Sequence, residues 1–201
     1  MSWIKEIYYD NADNQLKKLY DRVKGPNNNV DNILTVQSLR PHSLLGHLTL
    51  YKNVLHNSNN TLPKWYLETI GVYISHLNKC TYCVDHHSEG LKRLLNNKSK
   101  FDSIINSINK DNFDDSLEPN FRLGLLYAKK LTASPSDIQE NDIEELKDAG
   151  FTDGEILEIN QVVSYFNYAN RTVLGLGVNS KDDILGLSPN DSNDPTNWEH
   201  S

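Results

Sequence analysis

Apolar side chains recur every three or four positions along most of the chain, which is the spacing of an amphipathic α-helix. In residues 12–24 one such stripe is followed by Gly25-Pro26, a pair that ends a helix. No stretch of useful length alternates apolar and polar residues as a half-buried strand does. The pattern therefore predicts an all-α protein. The members of this first stripe are Leu16, Leu19, Tyr20 and Val23.

The same spacing, together with start and stop signals, predicts seven further helices. Pro41 and Pro63 can each open one, because the fixed φ of proline suits the first helical turn. We interpret residues 1–180 as a single helical domain. The other predicted helices begin near Thr81, Asn141 and Thr152 or span residues 101–108 and 121–131.

Two capping boxes are predicted near the end of the domain, Asn141 with Glu144 and Thr152 with Glu155. After them, residues 181–201 form a polar tail rich in Asp, Asn and Ser. We expect this tail to be mobile or to lie on a partner subunit.

Composition excludes several classes of function. The net charge of −7 and the lack of a basic run argue against nucleic-acid binding, which needs clustered Lys and Arg. We expect no signal peptide, because the first residues include early acidic side chains, and no membrane span, because no apolar stretch is long enough. The only two cysteines are three positions apart, which is typical of a redox or metal pair in a reducing compartment. We therefore place the protein in the cytoplasm.

The candidate chemistry lies in the stretch ETIGVYISHLNKCTYCVDHH. Cys80 and Cys83 form a Cys-x-x-Cys pair at the start of a predicted helix, for which Thr81 is a reasonable N-cap. His87 follows Cys83 by four residues, so its imidazole lies one turn away on the same face and can take a thiol proton. Amides and the helix dipole at a helix start favour the reactive thiolate. The inward stripe of this helix would consist of Cys83, His87, Leu91 and Leu94.

Glu68 precedes Cys80 by twelve residues and belongs to a helix that is apolar on most sides, which predicts partial burial. A buried carboxylate beside His87 would hold the tautomer of that imidazole and help to pass a proton. His86 points about 100° away from His87 and is the weaker candidate for the base. We expect it near the rim of the site or at an interface. The remaining histidines, at positions 42, 47, 56 and 76, form no clear constellation.

Other interpretations of the cysteine pair remain open from these residues. Either cysteine can be an inert apolar core residue. A zinc site could use Cys80, Cys83 and one histidine, but no second cysteine pair completes a structural site. We predict no metal and no cofactor.

The motif Glu-x(11)-Cys-x-x-Cys-x-x-x-His resembles the signature of the alkylhydroperoxidase D (AhpD) family, within the carboxymuconolactone decarboxylase-like superfamily. Its four positions here are Glu68, Cys80, Cys83 and His87. The segments WIKEI, SLRPHSLLGHLTLY and VVSYFNYANR are similar to the peroxidase-related branch of that family. The resemblance implies an all-helical, AhpD-like bundle, usually oligomeric, with the cysteine pair at the N-terminus of a buried helix.

The resemblance also implies roles for the four residues in a thiol-dependent peroxidase. Cys83 would attack a hydroperoxide, Cys80 would resolve the sulfenic acid, and His87 would act as base, linked to Glu68 in a proton relay. An external dithiol or a protein reductant would reduce the disulfide, and the protein would be a homo-oligomer. Tyr82 is a departure, since the founding enzyme has a histidine there. The alternative is a thiol–disulfide oxidoreductase or redox sensor that uses the same cysteines without peroxidase activity. A decarboxylase is disfavoured because it has no need of paired cysteines.

Overall fold

The computed structural model describes residues 2–190, 192–194, 197 and 199–200. This part of the chain is helical and contains no β-strand beyond one isolated bridge between Pro189 and His200. The prediction of an all-α fold is confirmed. The helices are α1 (Asn14–Val23), α2 (Asn32–Thr35), α3 (Pro41–Leu55), α4 (Lys64–Leu77), α5 (Thr81–Leu95), α6 (Lys98–Lys110), α7 (Pro119–Ala133), α8 (Glu140–Asp148) and α9 (Asp153–Leu176).

The fold is built around α4, which packs most extensively against α5 and α9. Every residue from Tyr66 to Ser75 in this helix is buried. A helix that is covered by other elements on all sides has no face in contact with solvent. An ionisable residue on such a helix therefore lies in the protein interior. Glu68 is such a residue, which is why its side chain lies in the core instead of in solvent.

A tight reversal joins α4 to α5 and positions the cysteines. Lys79 adopts a left-handed conformation with φ of 58°, and the amide of Cys80 donates to the carbonyl oxygen of Ser75 at 2.8 Å. The amide of Lys79 donates in the same turn to the carbonyl of His76. These bonds satisfy the last carbonyls of α4 and turn the chain back along it. α5 therefore begins against the end of the buried helix.

Helix α9 approaches α4 closely at Gly71. A Cβ atom added there would lie 2.2 Å from Cζ of Phe166, so no side chain larger than hydrogen fits without movement of the ring. Phe166 is itself fully buried. This contact fixes the distance between the two helices that enclose the candidate site.

The predicted helix starts are partly correct. Thr152 and Glu155 form the predicted capping box, with the amide of Glu155 donating to Oγ1 of Thr152. The box predicted at Asn141 is wrong, because α8 begins at Glu140. Its N-terminal carboxylate contact comes from Asp142, which accepts from the amide of Gln139 at 2.7 Å. The start of this helix contains consecutive Gln, Glu, Asn and Asp residues, and the local sequence does not indicate which of them caps the helix.

The inward stripe predicted for α5 is also wrong at one position. Leu94 is 46% exposed, whereas Leu91 is fully buried. Leu95, four residues after Leu91, packs against the core instead. With 3.6 residues per turn, Leu95 (i+4 from Leu91) can stay on the buried face while Leu94 (i+3) turns away from it.

No helix in the described part of the chain is both long and apolar enough to cross a membrane.

Candidate active site

The two cysteines meet at the start of α5. Cys80 is the residue that precedes the helix, and Cys83 lies in its first turn. Both are buried free thiols, and their Sγ atoms are 2.9 Å apart. At that distance the hydrogen of one thiol is shared with the sulfur of the other. The pair is thus a hydrogen-bonded dithiol.

The shared hydrogen separates the acidities of the two thiols. The hydrogen bond from Cys83 lowers the pKa of Cys80. The same hydrogen bond to Cys80, together with burial, raises the pKa of Cys83 well above its ordinary value. Loss of one proton therefore leaves a single thiolate, held by the thiol beside it.

A buried amide network lies beside the sulfurs and joins α9 to the α4–α5 turn. Asn170 is fully buried, and its Nδ2 donates to Oγ of Ser75 at 3.0 Å. Its Oδ1 accepts from Nδ2 of Asn78 at 2.9 Å. Hydrogen bonding from Asn170 lowers the pKa of both cysteines, although it is not the largest influence on either. No local sequence signal identifies these residues, because an Asn in a helix carries no sign of what it contacts.

His87 of α5, which is partly buried, and Glu68 of α4, which is buried, form a pair. Nδ1 of His87 lies 2.7 Å from Oε2 of Glu68. A carboxylate oxygen can only accept, so Nδ1 carries the hydrogen and Nε2 is the ring nitrogen left to take a proton. Burial by itself would raise the pKa of Glu68, but the charge of His87 and the hydrogen bond to it bring that pKa below its ordinary value. Glu68 is therefore an anion that orients the imidazole.

Aromatic contacts fix the ring of His87. Phe166 packs edge-on against it with ring centroids 4.6 Å apart, and Tyr51 lies edge-on at 6.1 Å. Phe166 is in turn held by the close approach at Gly71. The imidazole is thus positioned by α3, α4 and α9, three helices that do not contain it.

Cys83, His87 and Glu68 line one cavity of about 70 Å³, which has room for a few water molecules or a small substrate. Cys80 is fully buried behind Cys83 and does not line it. Within the described residues, no hydrogen bond joins His87 to either sulfur. Proton transfer between Cys83 and the imidazole would therefore pass through the cavity. The apolar part of the wall includes Ile33, Leu34, Leu48, Tyr51, Tyr165 and Ala169.

A second polar cluster borders the same cavity and contains His86. Nε2 of His86 lies 3.2 Å from Oδ2 of Asp183, and the hydroxyl of Tyr82 donates to the same oxygen at 2.8 Å. Asp183 also accepts from the amide of Asn32 at 3.1 Å. His86, which we expected near the rim of the site or at an interface, is buried within its own chain and lines the cavity. The segment after α9 covers the side of α5 that sequence reasoning left open.

That segment belongs to the region predicted as a mobile or partner-bound tail. Gly186, Leu187, Ser188 and Pro189 line the cavity, as does His200. The described part of the tail therefore packs against helices of its own chain and forms a wall of the candidate site. Within the predicted tail, residues 191, 195, 196, 198 and 201 lie outside the described part.

In the part of the chain that the structure describes, no group of three or more His, Cys, Asp or Glu side chains is arranged to hold a metal ion. The site consists of thiols, imidazoles and carboxylates in contact with one another in pairs. Such pairs move protons and support sulfur chemistry directly.

Solved structures with the same architecture decide the fold. An uncharacterized peroxidase-related protein from Ralstonia eutropha JMP134, described as an alkylhydroperoxidase AhpD core, superposes with a TM-score of 0.76 at 22% identity over 89% of this chain and 91% of its own. The chain has the AhpD fold. A second uncharacterized peroxidase-related protein, from Silicibacter sp. TM1040, gives a TM-score of 0.74 at 24% identity over 88% of this chain and 90% of its own.

A third solved structure is a protein of unknown function from Agrobacterium tumefaciens, with a TM-score of 0.60 at 20% identity. It covers 71% of this chain, and 93% of its own length is matched. No protein-family model matches the chain, and no curated protein matches it in sequence. The all-helical, AhpD-like architecture implied by the motif resemblance is confirmed.

Proposed function

We propose that the protein is a thiol-dependent peroxidase that reduces hydroperoxides through Cys83 and Cys80. The observation that carries this proposal is the 2.9 Å contact between the two Sγ atoms at the wall of a cavity shared with His87. A disulfide bond is about 2.05 Å long, so only a small movement joins these sulfurs once one of them is oxidised. A redox cycle needs that proximity.

Access assigns the attacking sulfur. Cys83 faces the cavity, whereas Cys80 is behind it. The pKa directions favour the resting thiolate on Cys80, which differs from the role that we give to Cys83. We base the assignment on access, because a proton moves easily along a hydrogen bond while the buried sulfur of Cys80 cannot reach a substrate. When the proton of Cys83 moves to Cys80, or is removed by His87, Cys83 becomes the thiolate and can act as the nucleophile.

The reaction then follows from the roles of the four residues. The Cys83 thiolate attacks the terminal oxygen of ROOH, the O–O bond breaks, Cys83 becomes a sulfenic acid, and the other oxygen takes up a proton and leaves as the alcohol ROH. The Cys80 thiol condenses with it, releasing water and forming the disulfide, which an external dithiol reduces by exchange. His87, oriented by Glu68, accepts the proton of the attacking thiol.

The short distance between the sulfurs also bears on over-oxidation. A sulfenic acid that waits in the presence of peroxide can proceed to a sulfinic acid. With Cys80 beside it, condensation is an encounter between neighbouring atoms and should precede a second oxidation.

Stopped-flow mixing of the reduced protein with hydrogen peroxide and with tert-butyl hydroperoxide tests the proposal. We expect loss of two thiols per hydroperoxide, much faster than free cysteine, with dithiothreitol restoring the reduced protein. Cys83→Ser should abolish the reaction. Cys80→Ser should still form a sulfenic acid that dimedone traps. Trapping in the Cys83→Ser variant instead would reverse the roles of the two cysteines.

The alternative function, a thiol–disulfide oxidoreductase or redox sensor without peroxidase activity, uses the same dithiol and gives a different result. It would show rapid exchange with a disulfide substrate and hydroperoxide reactivity no greater than that of free cysteine. The homo-oligomeric state stays a prediction, which light scattering of the purified protein tests.

A further inference from the structure

Asp31 carries a buried carboxyl group that the proposed relay does not use. Its side chain lines the cavity that Cys83 and His87 share. Its Oδ1 atom is inaccessible to solvent and has no hydrogen-bond partner among the described residues. Burying such a group without a partner costs free energy, so an unpaired carboxyl in a cavity wall calls for an explanation.

Helix capping does not supply that explanation. Asp31 occupies the N-cap position of α2, where an aspartate usually accepts from a helical amide. Its side chain makes no such bond. The amide of Asn32 is instead bound by Asp183, and the amides of Leu34 and Thr35 donate to the backbone carbonyl of Asp31. The amides of Asn32, Leu34 and Thr35 therefore have hydrogen-bond partners other than the Asp31 carboxyl.

Ion pairing does not explain the unpaired carboxyl of Asp31 either. The imidazole of His86 is paired with Asp183, and that of His87 with Glu68. Neither is within bonding distance of Asp31, although both influence it electrostatically. His86 and His87 thus already have carboxylate partners, and His200 lies against the backbone carbonyls of Ser188 and Val23, so Asp31 is left facing the cavity.

The surroundings favour the protonated form of this carboxyl. Burial is the largest influence and raises its pKa to about 6, opposed by the charge of His86 and supported by that of Asp183. The smaller influences of His200 and His87 lower the pKa. A carboxyl that titrates close to neutral pH can both release and regain a proton during turnover.

The proposed reaction has a use for this proton. Attack by a thiolate on ROOH expels an alkoxide, which leaves readily only if it is protonated as the O–O bond breaks. We propose that Asp31 is the general acid that protonates the leaving oxygen, while His87 serves the attacking sulfur. This inference rests on the proposed peroxidase function.

The step balances as follows. The Cys83 thiolate and ROOH, with the Asp31 carboxylic acid, give the Cys83 sulfenic acid, ROH and the Asp31 carboxylate. Sulfur supplies the electron pair and is oxidised, the terminal OH is transferred to it, and the O–O pair goes to the departing oxygen with the proton of Asp31. The proton that His87 took from Cys83 then returns to Asp31 through the cavity that both residues line, which restores both groups.

The test compares three reagents whose leaving groups differ in their need for a proton. tert-Butyl hydroperoxide expels an alkoxide, peracetic acid expels a stable carboxylate, and iodoacetamide expels iodide. In Asp31→Asn, the rate of Cys83 oxidation by tert-butyl hydroperoxide should fall on the order of 100-fold. The rates with peracetic acid and iodoacetamide should stay within a few-fold of those of the unmodified protein.

Matched measurements separate this role from a structural one. Asp13→Asn makes the same change at the N-cap of α1, where the carboxyl accepts from the amide of Leu16 and does not line the cavity. It should leave all three rates unchanged. Equal loss of all three rates in Asp31→Asn, or no loss with tert-butyl hydroperoxide, would overturn the assignment of Asp31.

Two further arms keep the test decisive. If the unmodified protein reacts with tert-butyl hydroperoxide no faster than free cysteine does, the peroxidase function itself fails, and the inference fails with it. If Asp31→Asn does not fold, the solvent deuterium isotope effect on the unmodified protein decides. It should be larger with tert-butyl hydroperoxide than with peracetic acid, and equal effects would overturn the role of Asp31.

Discussion

Nδ1 of His87 lies 2.7 Å from Oε2 of Glu68, although the two residues are on different helices and Glu68 sits in a helix segment buried on all sides. A carboxylate in that position would be costly without its partner, because burial opposes its charge. The contact with His87 offsets that cost. It fixes the tautomer and leaves Nε2 as the proton acceptor.

We predict that Glu68→Gln slows the oxidation of Cys83 by hydroperoxide on the order of 100-fold at neutral pH. Gln keeps a hydrogen-bond acceptor for Nδ1 but removes the negative charge of the carboxylate beside the ring. Stopped-flow kinetics measures the rate, and circular dichroism checks the fold. Glu144→Gln, at an exposed position on α8, is the control and should change nothing. An unchanged rate in Glu68→Gln would remove this residue from the relay.

The contact between Gly71 and Phe166 predicts a change in stability. Gly71→Ala places a Cβ atom 2.2 Å from the ring of Phe166, which is fully buried and has no room to retreat. We expect a loss of about 1–3 kcal/mol of unfolding free energy, measured by urea denaturation. Reactivity of Cys83 should also fall, because Phe166 packs on His87.

Gly46→Ala provides the matched control for that substitution. A Cβ atom at Gly46 in α3 meets nothing within 4 Å. Removing an exposed helical glycine should therefore stabilise the protein by about 0.5–1 kcal/mol. If both variants shift stability in the same direction, the close approach of α9 to α4 is not the cause.

The raised pKa of Asp31 predicts that the stability of the protein depends on pH. The ordinary carboxyl pKa of 3.8 is raised to about 6 in the folded protein. Between these values the folded state binds the proton more tightly than the unfolded state, so stability falls as the pH rises, and the loss persists above pH 6. Asp31→Asn should therefore raise the unfolding free energy by up to about 3 kcal/mol at neutral pH.

The same variant should match the unmodified protein below about pH 4, where Asp31 is protonated in both states. Thermal unfolding across this pH range measures the difference, with Asp13→Asn as the control. A gain in stability that does not vary with pH would mean that the charge of Asp31 is not responsible.

The hydrogen bonds of Tyr82 predict an effect on stability and on the position of the segment after α9. Its hydroxyl donates to Asp183 at 2.8 Å and accepts from the amide of Ile33 at 3.1 Å. Tyr82→Phe leaves both groups short of a partner and should cost about 1–3 kcal/mol of unfolding free energy. Because the segment with Asp183 covers the cavity, we expect faster reaction of the thiols with 5,5′-dithiobis(2-nitrobenzoic acid). An unchanged rate would show that this hydrogen bond does not restrain the wall.

The departure at Tyr82 from the family motif thus has a structural account. The founding enzyme has a histidine between the cysteines, whereas Tyr82 here is buried and joins α5 to α2 and to the segment after α9. Its side chain stacks at 4.5 Å on His86, which binds the same carboxylate. These contacts place Tyr82 in the cavity wall and beside the second polar cluster.

Local sequence patterns determined the helices and one half of the site. The 3.6-residue period predicted the all-α fold, and the four-residue spacing of Cys83 and His87 put both on one side of α5. The burial of Glu68 followed from a helix with too few polar residues to face water. Each of these depends on the geometry within a single helix, which neighbouring residues are sufficient to specify.

The tertiary structure alone decided the other half. Asp31 and His86 line one cavity, and Asp183 binds His86 because the chain returns across α5; Asn32 contacts Asp183 from 151 residues away. Nothing in the local pattern distinguishes these acidic residues from solvated ones, and the polar composition of the tail favoured mobility. Which distant segments come together depends on how all the helices pack, and a polar residue acquires its role only from what packing places beside it.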